Sequence, residues 1–146
     1  MRSIFPLLIF PFFSMLASGQ GVEGHWKTID DETGEAKSIV NIYQATDGKY
    51  YGKIVKLYRK PNEDQDPVCK ECPKSDKRHG QKIKGMVILS SLKKNGDEYS
   101  GGDILDPKNG KSYTCKIWPE GKDMLKVRGY VGFFYRTQTW YRVTDF

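Results

Sequence analysis

From Glu23 onward, short runs rich in β-branched and aromatic residues alternate with turn-forming residues. The run EGHWKTID carries Trp26 and Ile29, and KSIVNIY and KYYGKIVKLYR follow on either side of Asp47-Gly48, a dipeptide that supplies the positive φ of a tight turn. GMVILSSL is a mostly apolar run suited to a buried strand, and Asn95-Gly96 turns the chain into EYSGGDIL. After DPKNG, KSYTCKIW puts Tyr113, Cys115 and Ile117 on one face and Ser112, Thr114 and Lys116 on the other. PEGKD turns again, MLKVRGYV sets Leu125 and Val127 against Lys126 and Arg128, and FYRTQTWYRV ends the pattern. No amphipathic helix period competes with these runs. The pattern predicts an all-β protein of about eight strands, antiparallel because tight turns join them. They can close into a meander barrel, which leaves no exposed edges, or stack as an open sandwich.

The amino terminus follows a different rule. Arg2 precedes an apolar stretch from Ile4 to Leu16, and the small residues Ala17, Ser18 and Gly19 follow. This is the layout of a secretory signal peptide, so residues 1–19 are assigned to the leader and residues 20–146 to one β-barrel domain. A membrane anchor fits less well, since the stretch is short for a spanning helix and holds Pro6 and Pro11. The expected location is exported, in the periplasm or outside the cell, with no stable membrane span.

The chain of 146 residues has a formal charge of +6. Its lysines alternate with acids, as in DDETGEAK, and no block of like charges marks a nucleic-acid surface. Nucleic acid is therefore not expected as a partner, and a partner protein is not identified.

One stretch breaks the strand rhythm. Lys60 to Lys82 is long, polar and interrupted by Pro61, Pro67 and Pro73. Connections of this length are usually functional or disordered. It carries Cys69-Lys70-Glu71-Cys72, which in an oxidising compartment reads first as a local disulfide. Two other chemistries remain open for these cysteines. One is a redox pair, although thioredoxin-type motifs sit at a strand-to-helix junction. The other is a metal site recruiting His79 and Cys115. Cys115 on its own reads as a small buried hydrophobe. Asp106, before Pro107 and Gly110, reads as a turn builder rather than one half of an acid–base pair with Asp103. His25 and His79 are the only histidines, and no G-x-S-x-G elbow accompanies them. No catalytic set, cofactor or metal is assigned.

The strings GHWKT, YGKIVKL, GMVIL, GGDILDPKNGKSYTCKI, LKVRGYVG and RTQTWYRV, in this order between Gly24 and Val143, resemble the bacterial family known as domain of unknown function 2147. The resemblance implies an exported protein with a lipocalin-like β-barrel, and it implies no activity. Lipocalin-like barrels also carry G-x-W on the first strand and an Arg on the last. Here those positions are Gly24-His25-Trp26 and Arg142. By that resemblance Arg142 would pack over Trp26 as a structural lock, a cation–π contact worth about 0.5–2 kcal/mol.

The remaining candidates lie on the last two runs. Lys126, Arg128, Arg136 and Gln138 form a polar row on neighbouring strands, with Tyr130 and Trp140 beside them. The row is either a solvated outer face or, if it points inward, a pocket of aromatic walls with a few fixed polar groups. The functional expectation is an exported, non-enzymatic binding or interaction module holding a small amphiphilic or anionic ligand. The alternatives are a redox or metal protein centred on Cys69, Cys72 and His79, and a structural envelope protein with a filled barrel.

Overall fold

The computed structural model describes Pro11 and residues 21–146. Apart from Pro11, the expected leader lies outside the described residues. Eight strands follow in chain order: β1 (Gly24–Ile29), β2 (Ala36–Gln44), β3 (Tyr50–Leu57), β4 (Val87–Asn95), β5 (Glu98–Asp106), β6 (Lys111–Glu120), β7 (Met124–Val131) and β8 (Phe134–Val143). Each pairs antiparallel with the next, and β1 pairs with β8, so the sheet closes as a meander barrel. Closure rather than a sandwich satisfies both edges of the sheet at once. The predicted strands and turns are present in the predicted order.

Alternation along each strand sends one set of side chains inward. At one end these are Trp26, Val40, Ile42, Tyr50, Leu92, Tyr99, Ile117 and Leu125, which form a continuous buried cluster with Val22. Residues 21–23 cross this end as a plug. The Trp26 indole N–H donates to the Val22 carbonyl at 2.8 Å, and the Arg142 guanidinium donates to the carbonyls of Gly21, Glu23 and Lys122.

Keeping both Leu89 and Leu92 buried requires an irregular β4, because they are three residues apart and strand alternation has period two. The β3–β4 register shifts between Tyr50 and Gly52, and Ser91 lies at φ 60°. Gly102 lies beside this kink, where a Cβ would overlap the Ser90 carbonyl oxygen. The small residue at this point is a packing requirement.

The long connection between β3 and β4 is built onto the barrel. Backbone bonds run from Cys69 N to Gln81 O, from Gly80 N to Cys69 O and from Ile83 N to Pro67 O. Cys69 and Cys72 are joined in a disulfide and belong, with Met86 and Ile88, to the same buried cluster as the barrel interior. Gly110 lets the β5–β6 turn approach this loop, since a Cβ there would overlap the Glu71 carbonyl oxygen. The polar composition of the loop hides the fact that its cysteines are core residues.

Candidate ligand site

The end of the barrel opposite the plug is open. It is framed by the β1–β2 turn, the long β3–β4 loop, the β5–β6 turn and the β7–β8 hairpin. A cavity of about 680 Å³ enters there. Ile54, Ile104, Val127 and Trp140 are among its apolar walls, while the carboxylates of Asp30, Glu35, Glu63 and Asp106 and the cations Lys37, Arg59, Lys60, Lys108 and Arg136 border it as charged groups. The volume lies in the range of small-molecule sites, about 300–1,000 Å³.

The β7–β8 register decides which of the expected binding residues reach it. Leu125 faces Trp140, Val127 faces Gln138 and Gly129 faces Arg136 across the ladder. Directly opposed residues share a face. Arg136, Gln138 and Trp140 therefore lie on the inner face with the buried Leu125 and Val127, and all three line the cavity. Lys126, Arg128 and Tyr130 lie on the outer face. The expected single row is corrected in this respect: it is two rows on opposite sides of one sheet, because Lys126 opposes Thr139 and Arg128 opposes Thr137. Lys126 Nζ donates to Thr139 Oγ1 at 2.7 Å and Arg128 Nε to Thr137 Oγ1 at 2.8 Å. Arg128 also lies against the rings of Trp118 and Tyr135, at 4.9 Å and 4.2 Å.

The inner polar groups form a chain. The Trp140 indole donates to Gln138 Oε1 at 3.2 Å, and Gln138 Nε2 donates to Asp31 Oδ2 at 2.6 Å. Arg136 Nη2 pairs with the same carboxylate oxygen at 2.7 Å. Asp31 engages the Arg136 guanidinium through Nη2, and the side chain is 69 % exposed, so further N–H donors stay accessible. Deeper in the wall, the hydroxyls of Thr28 and Ser38 bond to each other at 2.7 Å, and both residues line the cavity. The pair is buried yet keeps spare lone pairs for a guest.

Asp31, Thr28 and Ser38 escaped the sequence reading. Asp31 lies in an acidic turn that reads as solvated charge. The alternation of EGHWKTID does put Thr28 on the Trp26 face, and that signal was available. Neighbouring Asp30 builds the turn: its carboxylate accepts from the amides of Thr33 and Glu32, which hold its pKa below the ordinary value.

The cysteine motif lies apart from this chemistry. His79 Nδ1 is 2.6 Å from the Cys72 carbonyl oxygen, and since a carbonyl only accepts, Nδ1 carries a proton. No group of three or more His, Cys, Asp or Glu among the described residues is arranged to hold a metal ion. Asp76 and Arg78 tie the loop down: Arg78 bonds to the Asp76 carboxylate and donates to the Val87 carbonyl at 3.0 Å. Cys115 is free and buried, and burial pushes its thiol up to about 12, so it is protonated at neutral pH and acts as a small apolar side chain. Arg142 lies over Trp26, its neighbour across the β1–β8 ladder, with its guanidinium carbon 4.2 Å from the ring centre.

No helix of the described residues is long and apolar enough to cross a membrane. No curated protein matches the chain. Among solved structures, the chain is similar to protein HP1028 from Helicobacter pylori, described as belonging to the lipocalin family. The TM-score is 0.70 at 24 % identity, over 84 % of this chain and 83 % of that one. The likeness makes this a lipocalin-like barrel in fold. Residues 24–142, from the start of β1 to Arg142 on β8, match the family model described as uncharacterized protein conserved in bacteria (DUF2147). The chain thus belongs to the DUF2147 family.

Proposed function

We propose that the barrel binds one small amphiphilic anion in its open cavity, with the apolar body among Ile54, Ile104, Val127 and Trp140 and the anionic head at Arg136. The observation that supports this most directly is the gradient along the cavity, from buried apolar walls to the exposed guanidinium of Arg136 at the mouth. Burying an apolar chain is worth about 0.8 kcal/mol per CH₂. A charged head left at the mouth keeps its water and gains a charge-assisted hydrogen bond. Asp31, itself bonded by Gln138, pairs with Arg136 and positions it at the mouth. The likeness to a lipocalin-family protein adds support by analogy of fold alone.

We place this activity after export. The leader-like pattern from Arg2 to Gly19 and the Cys69–Cys72 disulfide both suit an oxidising compartment. Native mass spectrometry of protein recovered from the cell envelope tests the reading. The expected spectrum shows a chain lacking its first 19 or so residues, carrying one non-covalent amphiphile. A spectrum of the bare chain only, from protein that also fails to take up dodecanoate, would overturn it.

A further inference from the structure

The hairpin that carries Arg136 also carries an aromatic cluster at its tip: Val131, Phe134 and Tyr135 border the cavity rim, and Phe133 lies outside it. Val131, Phe133, Phe134 and Tyr135 at its tip are exposed at 59, 102, 80 and 61 %. Phe133 packs on nothing and does not line the cavity. The tip is two-sided: Phe134 lies on the inner face opposite Val131, and Tyr135 on the outer face opposite Tyr130. A contiguous apolar patch of this kind marks an interaction site.

Charge selects the occupant. From Met124 to Val143 the hairpin holds Lys126, Arg128, Arg136 and Arg142 and no carboxylate. Arg142 is engaged at the plugged end, Arg136 pairs with Asp31, and Lys126 reaches Glu120 at 3.9 Å. Arg128 has no acidic partner among the described residues. Its guanidinium is held by Trp118 and Tyr135, with Lys116, which pairs with Glu98 at 3.3 Å, also over the Trp118 ring. The order from the tip back is phenylalanine, tyrosine, then cation and tryptophan. That order suits the depth profile of a bilayer interface, where aromatic rings sit at headgroup level and cations meet anionic lipid. A protein groove would take one face of the hairpin, whereas aromatic side chains project here on both faces and at the turn.

We propose that the β7–β8 tip inserts into the surface of an anionic lipid bilayer, with Phe133 and Phe134 entering the acyl boundary and Arg128 meeting lipid phosphates. Val131 and Phe134 also border the cavity mouth, whose other rim carries the carboxylates Asp30, Glu35 and Glu63, so the tip alone meets the lipid. The proposal goes beyond the ligand reading and stands on the hairpin alone.

Co-sedimentation of the chain from Gln20 with vesicles tests it, using phosphatidylglycerol mixed with phosphatidylethanolamine, and phosphatidylcholine as the uncharged control. The expected result is binding to the anionic vesicles, weakened by salt. Phe133→Ser with Phe134→Ser should lower the partition coefficient at least about tenfold. Phe133→Ser alone, at a side chain that packs on nothing, should lower it measurably with unchanged thermal unfolding. Arg128→Gln should weaken binding to anionic vesicles only. Absence of vesicle binding by the wild type at low salt, or equal binding by the serine variants, would overturn the proposal. So would sedimentation velocity showing a dimer that the serine substitutions dissociate while vesicle binding is absent. Dodecanoate uptake measured without vesicles reports on the cavity separately, so either reading can fail alone.

Discussion

Arg142 and Trp26 face each other across the ladder that closes the barrel, with the guanidinium carbon 4.2 Å from the centre of the indole ring. The same guanidinium donates to three carbonyls, those of Gly21, Glu23 and Lys122. One side chain therefore joins the last strand, the plug and the β6–β7 turn over a ring that is itself fully buried.

Trp26→Ala should cost about 3–5 kcal/mol, the scale for deleting a buried large aromatic. Arg142→Met keeps much of the side-chain bulk and loses the cation–π contact and the three acceptors, and should cost about 2–4 kcal/mol. Urea denaturation curves measure both. An unchanged midpoint for either variant would show that this end of the barrel is not locked as described.

Gly102→Ala tests the kink in β4. The added methyl meets the Ser90 carbonyl oxygen, which is backbone and cannot swing aside. The expected loss is about 1–3 kcal/mol, the range for overpacking. A variant as stable as the wild type would mean that the strand relaxes freely at Ser91.

The β pattern was legible because most runs follow a period of two, GMVILSSL being an apolar run instead, and each turn carries Gly or Asn-Gly/Asp-Gly chemistry. The lock between Trp26 and Arg142 was legible only through family resemblance, since it joins residues from opposite ends of the chain. Which residues share the cavity was not legible. Lys126 and Arg128 look equivalent to Arg136 and Gln138 in the sequence, and only the pairing of Val127 with Gln138 separates them. A register offset of one residue would have put the other row inside. Asp31 was invisible for a related reason: its bonds to Arg136 and Gln138 span more than a hundred residues of chain. The burial of Cys69 and Cys72 was masked by the polar residues around them, which face water while the sulfurs do not.

Asp76 should make loop stability depend on acid pH. The Arg78 side chain, and then the Arg78 amide, hold its carboxyl down to about 2 against an ordinary 3.8. A lowered folded value means that folding favours the ionised form. The contribution is therefore complete above the ordinary value and disappears as pH falls toward about 2. Asp76→Asn should lower stability at neutral pH by about 1 kcal/mol, with the difference vanishing near the acid end of that window. Thermal unfolding at a series of pH values reads this directly, and a constant difference down to the acid limit would contradict it.

Replacing Cys69 and Cys72 together with Ala should leave the barrel folded. The disulfide closes a very short loop, so its entropic contribution is small, but both sulfurs are core atoms. A loss of about 2–3 kcal/mol is expected from the missing staple and the unfilled volume. Amide exchange should quicken from Val68 to Ile83 and stay slow at Trp26 and Leu125. Barrel strands that exchange as fast as the loop would show that the loop is essential to the fold.

Isothermal titration of the purified chain with dodecanoate, in the absence of vesicles, tests the ligand site most directly. The prediction is one site per chain, a negative heat-capacity change from buried apolar surface, and affinity reduced about tenfold in Arg136→Gln. Dodecanol, with the same chain and no charge, should bind wild type and variant alike. No saturable binding of dodecanoate by the wild type, or equal dodecanoate affinity in Arg136→Gln, would contradict an amphiphile site with its anionic head at Arg136.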